Sequence, residues 1–249
     1  MAARLQDTTD DAFLGGRVRV LQPRKGYRAG LDAVMLAAAV SARAGDRVCD
    51  LGAGVGAAAF CLAARVEGLH ITAVEIGEDL AALAHKNGVR NTGAASFDVV
   101  TADVLNRPRT LARQHFDHVL TNPPYHDIAC GTRAPDGAKA RATSVHMRAL
   151  AEWLRFARAL VRPNGTVTAI LPPEQLAAAL AALSPSGAGV EIIPLWPKAG
   201  APAKRLVIRT RTNTKTPLVV HQGLVLHGPD GKATPEAEAV LRDGAALTT

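Results

Sequence analysis

The 249-residue chain predicts an α/β fold built on a mostly parallel sheet with helices on both faces. Three observations predict it. Between residues 47 and 183, strand and helix patterns alternate without a break. The first strand of this run enters a glycine-rich turn, Asp50-Leu-Gly52-Ala-Gly54-Val-Gly56, that opens a helix. The fourth ends at Asn122-Pro123-Pro124-Tyr125, and the carboxyl ends of strands are where open α/β sheets hold ligands.

The elements follow in order. Arg47–Ala53 reads as a strand into the glycine turn, and Gly56–Glu67 as a helix. His70–Ile76 is rich in β-branched residues and precedes a helical Asp79–Val89. Phe97–Asp103 is strand-like, and Phe116–Thr121 is a short buried strand. Met147, Leu150, Ala151, Leu154 and Val161 recur at helical spacing, and Pro163-Asn164-Gly165 stops that helix. Gly165–Leu171 is another strand, after which Pro172-Pro173 opens a helical Glu174–Leu183. Val190–Trp196 and Leu206–Arg211 read as an antiparallel edge pair, and Leu224–His227 as a short strand. Thr234 is placed to cap a last helix, with Pro235 at its first position. No linker-like stretch divides the chain and no internal repeat is visible. One domain, 1–249, is expected: an N-terminal extension (1–45) covering cofactor and substrate, a catalytic core (46–215) and a C-terminal addition (216–249).

Composition narrows the classes. The chain is 48% apolar and 20% charged, which is globular rather than disordered. A core of this size needs no disulfide or metal staple. Cys49, Cys61 and Cys130 are too few and too scattered for a disulfide framework or zinc knuckle, which suggests a reducing cytoplasm. Met1–Asp11 lacks an apolar signal core, and the apolar run Leu31–Val40 is too short to span a bilayer and contains Asp32. A cytoplasmic protein without membrane insertion is therefore expected, with a monomer as the default state. The net charge of +7 favours a polyanionic partner. Aromatics are only 4%, too few for a base-stacking platform of several rings.

The glycine turn alone is ambiguous. It lets a ligand approach the backbone at a helix N-terminus, and Glu75, ending the next strand, is placed for ribose hydroxyls. Gly52-x-Gly54-x-x-Ala57 with an acid about 20 residues on also fits a loose dinucleotide fingerprint. Asp50 sits just before the glycines, suited to a cation or ammonium group. Asp103 ends the third strand, suited to an adenine edge. Both features tilt the reading away from NAD, and the fourth-strand motif is one that no dehydrogenase needs. In that motif two prolines remove two backbone donors and leave carbonyl acceptors, and Asn122 adds another. Such a cluster accepts both hydrogens of an exocyclic amino group and aims its lone pair, while Tyr125 stacks on the plane that carries it. This is what methyl transfer from S-adenosylmethionine to an amino nitrogen requires. No metal-ligand spacing appears, and no metal is expected.

The arrangement resembles class I methyltransferases with an Asn-Pro-Pro-Tyr motif. The segment Gln22-Pro-Arg24-Lys25-Gly26-Tyr27-Arg28-Ala-Gly-Leu31-Asp32-Ala-Val34 narrows this. It is similar to the N-terminal signature of the bacterial tRNA(Val) adenine-N6 methyltransferase-like family. The resemblance continues through Asp50–Gly56, Ala102–Asp103, Asn122–Tyr125, Leu171–Gln175, Lys204–Val207 and Leu226–Asp230, nearly the full chain. It implies a Rossmann-like sheet of seven mostly parallel strands with an antiparallel edge strand. The cofactor implied is S-adenosyl-L-methionine and the partner is tRNA, modified at an adenosine beside the anticodon. By resemblance, Tyr27, Arg28, Asp32, Asp50, Gly52, Gly54, Gly56, Glu75, Ile76, Asp103, Val104 and Asn122 hold the cofactor. Asn122, Pro123, Pro124 and Tyr125 carry the chemistry. The sequence departs from the family after the motif, where His126-Asp127-Ile128 precedes a Gly- and Ala-rich loop.

The positive charge is concentrated. Arg17–Arg28 holds five basic residues and Lys198–Lys215 six, with no acid in either, more than the whole surplus of +7. Arg24, Lys25, Lys204, Arg205 and Arg209 are therefore expected on RNA phosphates, with Arg133 and Arg141 of the Gly131–Val145 loop. Arg205, Arg209 and Arg211 alternate onto one strand face. Arg148, Arg155 and Arg162, seven residues apart, read as a solvated helix face, and Trp153 and Trp196 as packing. The rival substrates are a protein glutamine amide and DNA adenine. The rival classes are an NAD-binding oxidoreductase and a non-catalytic RNA-binding protein.

Overall fold

The computed structural model describes residues 7–26, 28–91, 93–124 and 136–247. Of 136–146 the backbone alone is described. The strands of the main sheet are β3 (Arg47–Leu51), β4 (His70–Glu75), β5 (Ser96–Thr101), β6 (Phe116–Thr121), β7 (Val161–Leu171), β8 (Val190–Lys198) and β9 (Arg205–Arg211). They lie in the order β5-β4-β3-β6-β7-β9-β8. β9 is antiparallel to both its neighbours and the other six share one direction. These are the seven strands that the sequence implied. Two short strands, β10 (Val219–Val220) and β11 (Leu224–His227), add to the outer edge of β8 and make nine.

Side chains alternate along each strand between two cores, as the pleat requires. Val48, Ile71, Leu120, Ile170 and Val207 face one core. Against it pack helices α1 (Leu31–Ala39), α2 (Ala57–Arg65) and α3 (Glu78–Arg90), through Leu83 in the last case, together with α6 (Pro235–Leu241). Cys49, Val119, Leu171, Leu206 and Ile208 face the other core, covered by α4 (Asp136–Leu160) and α5 (Leu176–Leu183). α6 begins as expected: Thr234 Oγ1 accepts from the Ala237 amide and Pro235 holds the first position.

α4 starts earlier than its apolar spacing suggests. The backbone from Asp136 is already helical, so most of the expected Gly131–Val145 loop is the first part of this helix. Ala138, Ala140 and Ala142 favour helix more strongly than Gly137 opposes it. The expected helix Glu174–Leu183 also begins later, with a short 3₁₀ turn over Pro173–Gln175 before α5.

α1 is almost wholly apolar and buried, so its terminal carbonyls are out of reach of water. Buried carbonyls need donors. Two arginines supply them. Arg65 donates to the carbonyls of Ala37 and Val40, and Arg209 reaches the carbonyl of Ala39 at 3.0 Å.

The N-terminal segment forms a hairpin, β1 (Thr8–Phe13) with β2 (Val18–Pro23). It docks on α3 through two side-chain amides. Asn87 Oδ1 accepts from the Leu21 amide at 2.8 Å and its Nδ2 donates to the Leu21 carbonyl at 3.0 Å. Asn91 repeats the pair on Arg19, at 3.1 and 3.0 Å. Four helical residues rise about 6 Å and two strand residues about 6.6 Å, so the two amides meet alternate strand positions. The fully buried Asn87 also donates to the Val55 carbonyl at 3.1 Å, which ties the hairpin to the glycine turn.

Replacing Asn87 with Ala leaves the Leu21 groups and the Val55 carbonyl short of partners. A loss of about 2–3 kcal/mol in urea unfolding is expected. Asn91→Ala, at a more exposed position, costs less.

Candidate active site

Strand order reverses beside β3, with β4 on one side and β6 on the other. Such a switch point opens a crevice at the carboxyl ends of the strands. The residues reaching it are Asp50 and the glycine turn after β3, Glu75 after β4, Asp103 after β5 and Asn122 after β6. Asp50, Gly52, Gly54, Leu80, Ala33 and Asn122 line one cleft there.

The turn is forced by its neighbours. The amides of Gly52 and Ala53 both donate to the Val74 carbonyl at 2.9 Å. Gly52 lies at φ +79°, and a Cβ there would stand 2.7 Å from the Trp153 ring. Gly54 lies at φ +57°, and the space a Cβ would enter is open. Glu75 fixes the turn from the side: one carboxylate oxygen accepts from the Gly54 amide and the other from Gly77, both at 2.8 Å. Each oxygen retains a lone pair for a ligand hydroxyl.

Asp50 is the electrostatic centre. It is 2% exposed and its Oδ2 has no hydrogen-bond partner among the described residues. Burial pushes its pKa up to about 7; the Ala59 backbone hydrogen bond opposes this and the nearby Glu75 charge adds to it. A buried carboxylate in this position is stabilised by a ligand cation. Cys49, one residue earlier, is a core residue whose thiol is held protonated by burial.

At β6, Thr121 is fully buried and donates to the Leu51 carbonyl at 2.7 Å. Trp153 Nε1 donates to Thr121 Oγ1 at 2.9 Å. Trp153 therefore supports both motifs: its ring backs Gly52 and its N–H holds the residue before Asn122. Read as packing from the sequence, it is the positioning residue that was missed. Its spacing of three from Leu150 on the buried face of the helix was the available signal. Pro123 is buried and Pro124 exposed.

The other expected site residues divide. Ile76 is 63% exposed beside Glu75, an apolar face at the cleft rim. Val104 is buried. Asp103 caps the short turn that follows it, accepting from the Leu105 amide and the Asn106 side chain at 2.9 and 3.0 Å. Gly56 adopts φ +86° at the start of α2. Asp32 does not line the cleft and pairs instead with Arg205 at 2.9 Å. Arg28 knits the N-terminal segment, bonding Thr9 Oγ1, the Pro23 carbonyl and Asp11 at 2.6–2.9 Å. Gln22 completes that cluster, accepting from the Ala29 amide. Tyr27, Tyr125, Arg133 and the side chain of Arg141 lie outside the described residues.

Two phosphate-binding expectations need correction. The Arg209 side chain is only 12% exposed and is held by Glu191, the Ala39 carbonyl and Ser41. The buried end of α1 claimed it. Arg205, on the same strand face, is held by Asp32. Arg24 is exposed but paired with Asp7 at 2.6 Å, while Lys25 and Lys204 remain on the surface.

Fold and site together define a class I, Rossmann-like methyltransferase architecture. A solved structure from Agrobacterium tumefaciens, termed a predicted O-methyltransferase, matches with a TM-score of 0.70 at 27% identity, over 87% of this chain and 98% of that one. The methyltransferase small domain model matches residues 30–134. A relative from Serratia proteamaculans, named tRNA1(Val) (adenine(37)-N6)-methyltransferase, is 33% identical over 61% of this chain and 58% of its own. One of the same name from Mannheimia succiniciproducens is 30% identical over 66% and 67%. The alignment thus spans little more than half of the first of these relatives. The chain belongs to the methyltransferase small-domain family, in the group that bears these names. The family implies S-adenosylmethionine as methyl donor, and the residues fit it. A buried carboxylate oxygen without a donor faces a ligand with two cationic centres, and the turn leaves an open side at Gly54. Among the described residues no cluster could hold a metal ion, and no helix is long and apolar enough to cross a membrane.

Asp50 makes the free protein's stability pH-dependent. Its pKa is raised in the fold, so from about pH 4 to 7 the folded chain retains a proton that the unfolded chain has lost. Stability from this group therefore falls as pH rises through that window. Asp50→Asn is expected to raise the melting temperature at pH 8, an advantage that fades toward pH 4. In equilibrium dialysis the same variant is expected to bind S-adenosylmethionine at least about tenfold more weakly.

Proposed function

We propose that this protein transfers a methyl group from S-adenosylmethionine to the exocyclic N6 of an adenine in tRNA. One observation carries this reading. The run Asn122-Pro123-Pro124, dense in acceptors and poor in donors, follows β6 directly across the switch point from the glycine turn, and Asn122 lines the same cleft as Asp50. The names of the relatives support adenine in tRNA over a protein amide.

S-adenosylmethionine, when bound, supplies a methyl group already activated on sulfur. Asp50 would hold the cationic methionine end, and Glu75 would bind the ribose through the lone pairs left by Gly54 and Gly77. Ile76 would pack on the adenine and Asp103 would bind its edge. Asn122 Oδ1 and the Pro123 carbonyl accept the two N–H bonds of the target amine, which directs its lone pair along the line of transfer. Adenine N6 is barely basic, so alignment and exclusion of water suffice, and the product's proton leaves to solvent. The stacking partner proposed for the extruded base is Tyr125, which lies outside the described residues.

Asn122→Ala is expected to reduce methyl transfer to unmodified tRNA by at least about 10³-fold, in the range seen for an essential positioning donor or acceptor. Dialysis should show methyl-donor affinity within a few-fold of the parent. Nucleoside mass analysis of the tRNA treated with the parent protein should find N6-methyladenosine. Transfer to protein alone would overturn the assignment.

A further inference from the structure

Pairing by carboxylates reassigns the surface charge. Arg19, Arg24, Arg28, Arg90, Arg162, Arg205, Arg209 and Arg242 each lie within 4 Å of an Asp or Glu oxygen. Arg43 and Arg47 are exposed with neither an ion pair nor a side-chain hydrogen bond among the described residues, and so are six arginines that fall in two segments: Arg107, Arg109, Arg113, Arg148, Arg155 and Arg158. The first three lie between the turn at Val104–Asn106 and β6, and the other three on α4.

The fold brings these two segments together. Val104 and Leu111 are buried in one cluster with Leu150 and Leu154 of α4. The Gln114 and His115 amides donate to the Ala159 and Leu160 carbonyls at 3.1 and 2.9 Å. A groove of about 490 Å³ runs between Gln114, Arg155 and Arg158 and the Pro163 and Thr212–Asn213 region. Segment 104–115 therefore lies along α4, from the adenine end of the cleft at Asp103 to the opposite end of the sheet. Arg148 to Arg158 spans about 15 Å of helix.

A solvated helix face with mixed charges does not explain this. The exposed acid on the described α4 side chains is Glu152; Asp103, at the head of the loop, keeps its charge while capping the turn, and Asp117 pairs with Arg162 and accepts from the Arg47 amide. The helix dipole favours a cation at Arg158 but not at Arg148 or Arg155, nor on the loop. Every cation in the set is arginine, whose planar fork suits phosphate.

We infer that the face formed by segment 104–115 and α4 is the surface that carries the phosphate backbone of an RNA substrate. This deepens the proposed function and rests on it for the identity of the RNA. It replaces the β9 arginines, which the fold uses internally, with a track that begins at the cleft.

The test measures the affinity of unmodified tRNA across salt concentrations for four double variants. Arg109→Glu/Arg113→Glu and Arg155→Glu/Arg158→Glu are each expected to weaken binding at least about tenfold near 0.1 M salt, and to flatten the salt slope by about 2. Arg43→Glu/Lys86→Glu, a charge-matched change elsewhere, should stay within about twofold. Arg155→Lys/Arg158→Lys should retain most of the affinity. Methyl-donor binding should be unchanged throughout, and at saturating tRNA so should kcat. Patch variants that bind like the parent, or a control that weakens as much as they do, would overturn the inference. Methyl transfer is assayed in parallel, so the two readings fail separately. A parent that binds tRNA through this face but methylates none retains the surface and loses the activity. A parent that methylates tRNA while the patch variants hold their affinity does the reverse.

Discussion

The short turn between β3 and α2 governs the rest of the cleft. Its residues adopt left-handed backbone that side chains other than glycine enter only with strain. It is fixed from three directions: by the Val74 carbonyl beneath it, by the Glu75 carboxylate beside it and by the Trp153 ring behind it. Each of these contacts also sets another part of the site. Glu75 stands at the rim where a ribose would lie, and Trp153 reaches through Thr121 to the residue before Asn122. The spacing between the glycine turn and the residue before Asn122 thus depends on one aromatic side chain and one hydroxyl.

Much of this was legible in the sequence because the relevant signals are local. β6 spans Phe116–Thr121, β11 spans Leu224–His227 and Thr234 caps α6, all as read. A strand's alternation, a cap and a glycine turn are each specified within a few residues. The misreadings have the opposite character. Arg205 and Arg209 alternate on a strand and look like a solvent face until the strand is placed against α1, whose buried end has carbonyls to satisfy. The N-terminal hairpin left no mark in the reading because its outer edge is completed by side-chain amides from a helix nearly 70 residues away. Long-range donors of this kind carry no periodicity.

Charge in this protein has two separate uses. Half-buried arginines at positions 65 and 209 complete backbone hydrogen bonding at the end of α1, where a neutral donor of equal reach is scarce. Surface arginines near the cleft are left without carboxylate partners. Counting basic residues along the chain merges these uses, whereas asking which carboxylate or carbonyl each guanidinium meets separates them. Asp50 is the inverse case. It is an acid whose partner is not supplied by the described fold, and that shortfall makes the turn a place for a cation.

The docking of β2 onto α3 acts as a vernier. The spacing of Asn87 and Asn91 on the helix nearly equals that of Leu21 and Arg19 on the strand, but the small difference accumulates, so the match serves two rungs and no long ladder. Within those two rungs it is strict. Sliding β2 by a single residue would turn the matched amides and carbonyls away and reverse every side chain of the strand. The helix therefore reads out the register of the hairpin. A length change in the Leu14–Arg17 connection could be absorbed only by β1, and the segment that leads from β2 to the cleft would keep its place.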